Sequence, residues 1–108
     1  MEKEKSIFVE FMGDTPLVRI LDFLIEKRPF ETTKEEIIKD TGVARNSLFK
    51  VWGRLEKFGI VLKTRSIGKA DLFVLNDKSE IVQDLLRLEF AFGKQAMHQA
   101  SEKVLAQN

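Results

Sequence analysis

The sequence predicts a mainly α-helical domain with a small β-hairpin, an α+β arrangement. Two observations carry this expectation. Apolar residues recur at helical spacing along most of the 108 residues, and the period drops to two only between Ile60 and Leu75, where Gly68 interrupts the run as a hairpin turn would.

The elements follow in order. Ile7 to Met12 reads two ways: Ile7, Val9 and Phe11 alternate like a strand, while Ile7, Phe8, Phe11 and Met12 match a helix. Thr15 then supplies a capping hydroxyl, and Pro16 sits where its missing N–H costs nothing. Leu17, Ile20, Leu21, Leu24 and Ile25 give a helix over 16–27 that Pro29 ends. Thr33 with Glu36 three residues later forms a capping box for a short helix carrying Ile37 and Ile38, stopped at Thr41 and Gly42. A further helix over 44–57 has the stripe Leu48, Val51, Trp52, Leu55, Phe58 and ends at Gly59. The hairpin is expected to pack on the helices through Leu62, Phe73 and Leu75. Asn76 to Ser79 offers a cap for a long helix running to about Leu105. Two helices joined by a tight Gly turn and followed by a hairpin make a winged helix-turn-helix. The expected organisation is an N-terminal segment 1–12, the winged helix 13–76 and a C-terminal helix 77–108.

Composition narrows the chemistry. The absence of Cys excludes disulfides and thiolate ligands, and one His with no Tyr leaves few groups for proton transfer. No nucleophile–base set is found, and no metal or cofactor is expected. His98 lacks a local metal-binding partner. Trp52 lies on a core stripe, and the glycines do not have phosphate-binding spacing. The Glu/Lys start is no signal peptide and no run reaches the ~18 apolar residues of a spanning helix, so a cytoplasmic protein with frayed ends is expected.

Net charge is +1, but it is unevenly spread. Between Ala44 and Ala70 stand Arg45, Lys50, Arg54, Lys57, Lys63, Arg65 and Lys69 against Glu56 alone, a net +6, while the rest of the chain carries −5. A run of charge can be no more than a solvated face. Here it coincides with the helix and hairpin that a winged helix turns toward duplex DNA. Arg45, Asn46 and Ser47 occupy the helix start, where guanine or adenine edges can be read. Lys50, Arg54 and Lys57 lie off the apolar stripe and suit phosphates, and Phe49, also off the stripe, could meet a thymine methyl. Lys63, Arg65 and Lys69 belong to the wing.

The stretch from Gly13 to Asn76 resembles the short winged-helix transcriptional regulators of the MarR and ArsR type. The resemblance rests on Thr15-Pro16, Ile37-Ile38, Gly42-Val43, Leu48, Leu55 and Gly59-Ile60-Val61. It departs at Ile38, where such proteins usually carry a small residue. It implies homodimers that bind promoter DNA through the helix at 44–57 and the wing, with Arg45, Asn46, Ser47, Phe49, Lys50 and Arg54 on contacting positions. Metal sensing of the ArsR kind has no Cys or His cluster to use.

The C-terminal helix carries two apolar stripes: Ile81, Leu85, Leu88, Phe92, Ala96, and Val82, Leu86, Phe90, Met97, Ala100, Val104. One can cover the domain's own core, and the other then favours association. A two-fold dimer paired along this helix is expected, with Ile81, Leu85, Leu88, Phe92 and Ala96 as the candidate interface and residues 7–12 able to contribute, while which of the two stripes pairs stays open. The expected function is a sequence-specific DNA-binding regulator, with repression favoured because blocking a promoter needs no second activity. The alternative is a winged-helix module that binds protein within a larger assembly.

Overall fold

A computed structural model describes residues 5–106. Of the ends expected to fray, residues 1–4 and 107–108 lie outside the described residues, while Ala106 is the last residue of the final helix. The order is α1 (Ile7–Met12), α2 (Pro16–Lys27), α3 (Lys34–Thr41), α4 (Arg45–Lys57), β1 (Val61–Ile67), β2 (Ala70–Leu75) and α5 (Glu80–Ala106).

The ambiguous segment is a helix. Ser6 caps it by accepting from the Val9 amide at 3.1 Å and ties it to α2 by donating to Asp22 at 2.9 Å. Phe8 and Val9 are both buried. Adjacent residues of a strand point to opposite faces, so a single core can bury both only on a helix. The Thr15 hydroxyl caps α2 as expected, accepting from the Val18 amide at 3.3 Å. At α3 half of the capping box forms. The Thr33 hydroxyl accepts from the Glu36 amide at 3.1 Å, while the Glu36 carboxylate is engaged by Thr32 and Lys27 instead of reaching back to Thr33.

The turn between α3 and α4 is set by Gly42 in the left-handed region, φ 73°. Thr41 locks it, donating to the Ile37 carbonyl and accepting from the Val43 amide. Ile37 is fully buried and Ile38 packs partly against the core, so the larger residue at 38 is accommodated at its margin.

Helix α2 packs against α1, α3, α4 and β2, and places Val18, Ile20, Leu21, Leu24 and Ile25 at the centre of one core. Helix α4 contributes Leu48, Val51, Trp52 and Leu55, the expected stripe without its last member: Phe58 is exposed. Each such side chain stabilises the fold by about 1.5–3 kcal/mol through apolar burial.

The hairpin corrects one expectation. It packs through Val61, Phe73 and Leu75, while Leu62 is exposed. The register explains this: Val61 pairs with Leu75 and Lys63 with Phe73, so Val61, Phe73 and Leu75 share the face turned to the helices, and Leu62 pairs with Val74 on the other. A second edge is also occupied. Thr32, buried in the approach to α3, exchanges two backbone hydrogen bonds with Phe73 at 2.9 and 2.8 Å.

Helix α5 starts from a cap in which Ser79 accepts from the Val82 amide. Val82 is fully buried, and Leu85, Leu86 and Phe92 pack against the core. Phe92 meets Phe8 edge-on at 6.4 Å and Phe11 at 5.0 Å, joining α1 to α5. At 1.5 Å per residue the 27 residues of α5 span about 40 Å, which explains the 58 Å long axis.

Candidate nucleic-acid interface

Helix α4 is half core and half surface. Its inward side holds Leu48, Val51, Trp52 and Leu55, and Asn46, Phe49, Lys50, Gly53, Arg54 and Lys57 are exposed on the outside. These outward positions recur at spacings of three and four, so they form one ridge. Ala44 occupies the N-cap without a side-chain hydrogen bond, leaving the first-turn amides with no side-chain acceptor. Arg45 is exposed and Ser47 half-buried.

The wing does not present its cations as simple alternation would. The register slips between Lys63 and Arg65, a bulge at Thr64, so Lys63 pairs with Phe73 but Arg65 with Leu72. A bulge shifts the pleat by one residue and turns the two cations to opposite faces. Lys69 is exposed at the turn.

Charge is more compensated in space than along the chain. Arg45 forms a two-point pair with Glu35 of α3, one arm at 2.9 Å. Arg65 reaches Glu31 through Nε at 3.1 Å and Nη2 at 3.0 Å, and Lys63 reaches Asp71 at 3.3 Å. The hydroxyls of Thr64 and Ser66 donate to the same Glu31 and Asp71 carboxylates. These partners hold all three acids below the usual carboxylate range: Thr64 and then Arg65 at Glu31, Arg45 at Glu35, Ser66 and then Lys63 at Asp71. Glu35 in turn raises the Arg45 guanidinium above its ordinary value. Among the described residues Lys50, Arg54 and Lys69 have no ion-pair partner, and Lys57 lies over the Phe58 ring.

A junction of residues distant along the chain links these parts. Lys34 Nζ sits 5.2 Å from the Phe49 ring, 5.3 Å from Trp52 and 5.5 Å from Phe73. Trp52 meets Phe73 edge-on at 4.8 Å, and its indole nitrogen is buried without a hydrogen-bond partner. Cation–π contact of this kind joins the start of α3, the ridge of α4 and the wing.

No model of a known protein family matches the sequence, and no match is found among curated proteins. Solved structures do match. An apo double mutant of Lactococcus lactis ZitR superposes with a TM-score of 0.62 at 14% identity, covering 92% of this chain and 71% of that one. NadR in complex with 4-hydroxyphenylacetate gives 0.58 at 19% identity, covering 99% and 90%. A SlyA-like transcription regulator from Listeria monocytogenes gives 0.58 at 18%, covering 86% and 62%. The chain has the winged helix-turn-helix fold of these proteins.

Within the winged helix, α3 and α4 are the paired helices, β1–β2 is the wing and α4 is the second helix of the pair. Of the nine residues singled out for DNA, six lie on α4 and three on the wing, and all but Ser47 are exposed. The structure brings Asn46, Phe49, Lys50 and Arg54 onto one ridge. It sets Arg45, Lys63 and Arg65 apart in ion pairs. Glu31, Glu35, Asp71 and Lys34 were missed because their partners lie up to 34 positions away, beyond any local pattern.

The five residues expected at a dimer interface are divided. Ile81 and Leu88 are exposed, Ala96 is half-buried, and Leu85 and Phe92 are occupied by the domain's own core. Among the described side chains of α5, the most exposed large apolar ones are Phe90 and Met97 of the other stripe, accompanied by Phe11 of α1. A straight helix presents a face, not a stripe, and the core has drawn from both. Among the described residues no acidic or His group forms a metal-binding cluster, and no helix is long and apolar enough to cross a membrane.

Proposed function

We propose that this protein is a transcriptional regulator that binds double-stranded DNA as a homodimer and represses by occupying promoter sites. The carrying observation is the ridge of α4, where Asn46, Phe49, Lys50, Gly53 and Arg54 are exposed and, among the described residues, have no acidic partner, on the helix that a winged helix lays in the major groove. Asn46 reads an adenine edge, Phe49 meets a thymine methyl, and Lys50 and Arg54 neutralise phosphates on either side. Lys69 carries the wing tip to the neighbouring backbone.

The dimer reading rests on Phe11, Leu88, Phe90 and Met97, which a monomer leaves in water. A two-fold pairing along α5 sets two copies of α4 one helical repeat apart, roughly 34 Å, and calls for a pseudo-palindromic site. A non-enzymatic role is supported by the similar proteins, one of which is a SlyA-like transcription regulator.

The alternative is a protein-binding winged helix. The ion pairs of Arg45, Lys63 and Arg65 favour it, because they lower the free charge of the surface. Selection from random duplexes, followed by mobility shifts across salt, separates the two. The DNA reading expects an enriched pseudo-palindrome and binding that falls steeply with salt as phosphate contacts release counterions. No enrichment and no binding at low salt would establish the alternative. Light scattering should return twice the 12.5 kDa chain mass.

A further inference from the structure

The candidate DNA-facing cations fall into two groups. Lys50, Arg54 and Lys69 have no carboxylate partner among the described residues, whereas Arg45, Arg65 and Lys63 are each held by one. The three carboxylates come from three separate places: Glu31 before α3, Glu35 in its first turn and Asp71 on β2. Chance neighbours along one helix would not produce this. Two of the carboxylates are themselves oriented by a hydroxyl, Glu31 by Thr64 and Asp71 by Ser66. The held cations sit at the helix start and in the wing, where bases and groove width are read. The free cations sit where phosphates are expected.

We propose that Glu31, Glu35 and Asp71 are specificity-determining residues, which keep Arg65, Arg45 and Lys63 off non-cognate DNA. The proposal rests on the DNA-binding reading above. Its logic is exchange. At an arbitrary sequence a held cation can only trade a carboxylate for a phosphate, one oxyanion for another, and gains little. At a cognate site Arg45 trades Glu35 for the two acceptors of a guanine, a contact that discriminates by roughly fivefold to a hundredfold. Arg65 trades Glu31 for a narrow minor groove, whose negative potential is enhanced. An exposed ion pair resists such exchange by no more than about fivefold, so the cognate contact wins and the arbitrary one does not. Lys50, Arg54 and Lys69 meanwhile supply the sequence-independent affinity that brings the protein to DNA.

The test compares the full chain with Glu35→Gln, Glu31→Gln and Asp71→Asn, measuring anisotropy on a random-sequence duplex and on the duplex returned by selection, across salt. Each substitution keeps the size of the side chain but removes its charge and one of its two acceptor oxygens, and none of the three carboxylates belongs to the core: Glu35 and Asp71 are exposed and Glu31 is half-buried. Glu56→Gln is the control, since it makes the same change of charge on α4 at an acid that holds no cation among the described residues. The expected result is a twofold to fivefold gain on random duplex, with a salt slope steeper by about one, and a smaller change on the selected site. The ratio of specific to random affinity then falls. The proposal is overturned if random-duplex affinity is unchanged, or if Glu56→Gln reproduces the gain. Absence of salt-dependent binding by the unmodified chain and all variants would instead remove the DNA-binding reading itself.

Discussion

Phe8 and Phe11 lie one helical turn apart on α1 and both touch Phe92, yet they should respond differently to truncation. Phe8 is 1% exposed and Phe11 71%. Removing the Phe8 ring opens a cavity where α1, α2 and α5 meet, and a buried Phe→Ala change costs about 3–5 kcal/mol. With about 4 °C per kcal/mol for a domain near this size, Phe8→Ala should lower Tm by roughly 12–20 °C. Phe11→Ala forfeits little beyond its ring contact with Phe92, about 0.5–1.5 kcal/mol, and should lower the monomer's Tm by no more than about 6 °C. If the α1–α5 surface is where two copies meet, Phe11→Ala should instead weaken self-association. The assay is a thermal melt by circular dichroism at two protein concentrations, since dimerisation makes Tm concentration-dependent, together with light scattering. A Phe8→Ala protein melting within about 3 °C of the parent would refute the packing of α1 on α5. A Phe11→Ala protein that dimerises with unchanged affinity would exclude Phe11 from the interface.

Other outcomes follow from single positions. Gly53 lies mid-helix on the outer ridge of α4, and a Cβ there would meet nothing in the chain, so Gly53→Ala should stabilise the fold by about 0.5–1 kcal/mol while weakening duplex binding by crowding the groove; a melt and a mobility shift on one sample check both signs. Gly42→Ala should cost about 1–2 kcal/mol in denaturant unfolding, because the left-handed turn between α3 and α4 strains any Cβ although the space is open. Asp14 is held well below the usual carboxylate range by Arg19 and then Lys5. Its folded-state pKa is depressed, so its contribution is present above the unfolded value near 3.9 and is lost as pH falls below it. Asp14→Asn should therefore flatten the stability profile below about pH 4, measured by urea unfolding across pH.

How far the sequence foretold the structure depends on the range of the interaction. The bounds of α2 follow from Thr15-Pro16 and Pro29, and the turn after α3 from Thr41-Gly42, since caps and left-handed glycines act within a few residues. The helix α1 was undecidable because six residues satisfy both periods, and only its burial against α5 selects one. Alternation in the hairpin is compatible with Leu62 facing inward, because it does not say which of two faces meets the core; the register turns Leu62 outward. The α4 ridge was legible as residues off an apolar stripe. The ion pairs were not: the segment that looked clear of acids along the chain receives Glu31 and Glu35 from outside it. Charge counted along a sequence is one-dimensional, and the field at a surface sums over every element that folds back upon it.

The backbone exchange between Thr32 and Phe73 has a consequence for how the wing behaves. A two-stranded ribbon by itself is marginal in water and splays easily. Here the approach to α3 acts as a short third strand, so the base of the ribbon is stitched to the same element that starts the paired helices. The ribbon cannot swing from its root without breaking hydrogen bonds beside the core. The bridge is made at Phe73, and the turn at Gly68 and Lys69 lies beyond it at the far end of the ribbon. The wing root and the paired helices are thereby held as one piece, so little ordering entropy would be lost there on meeting any partner.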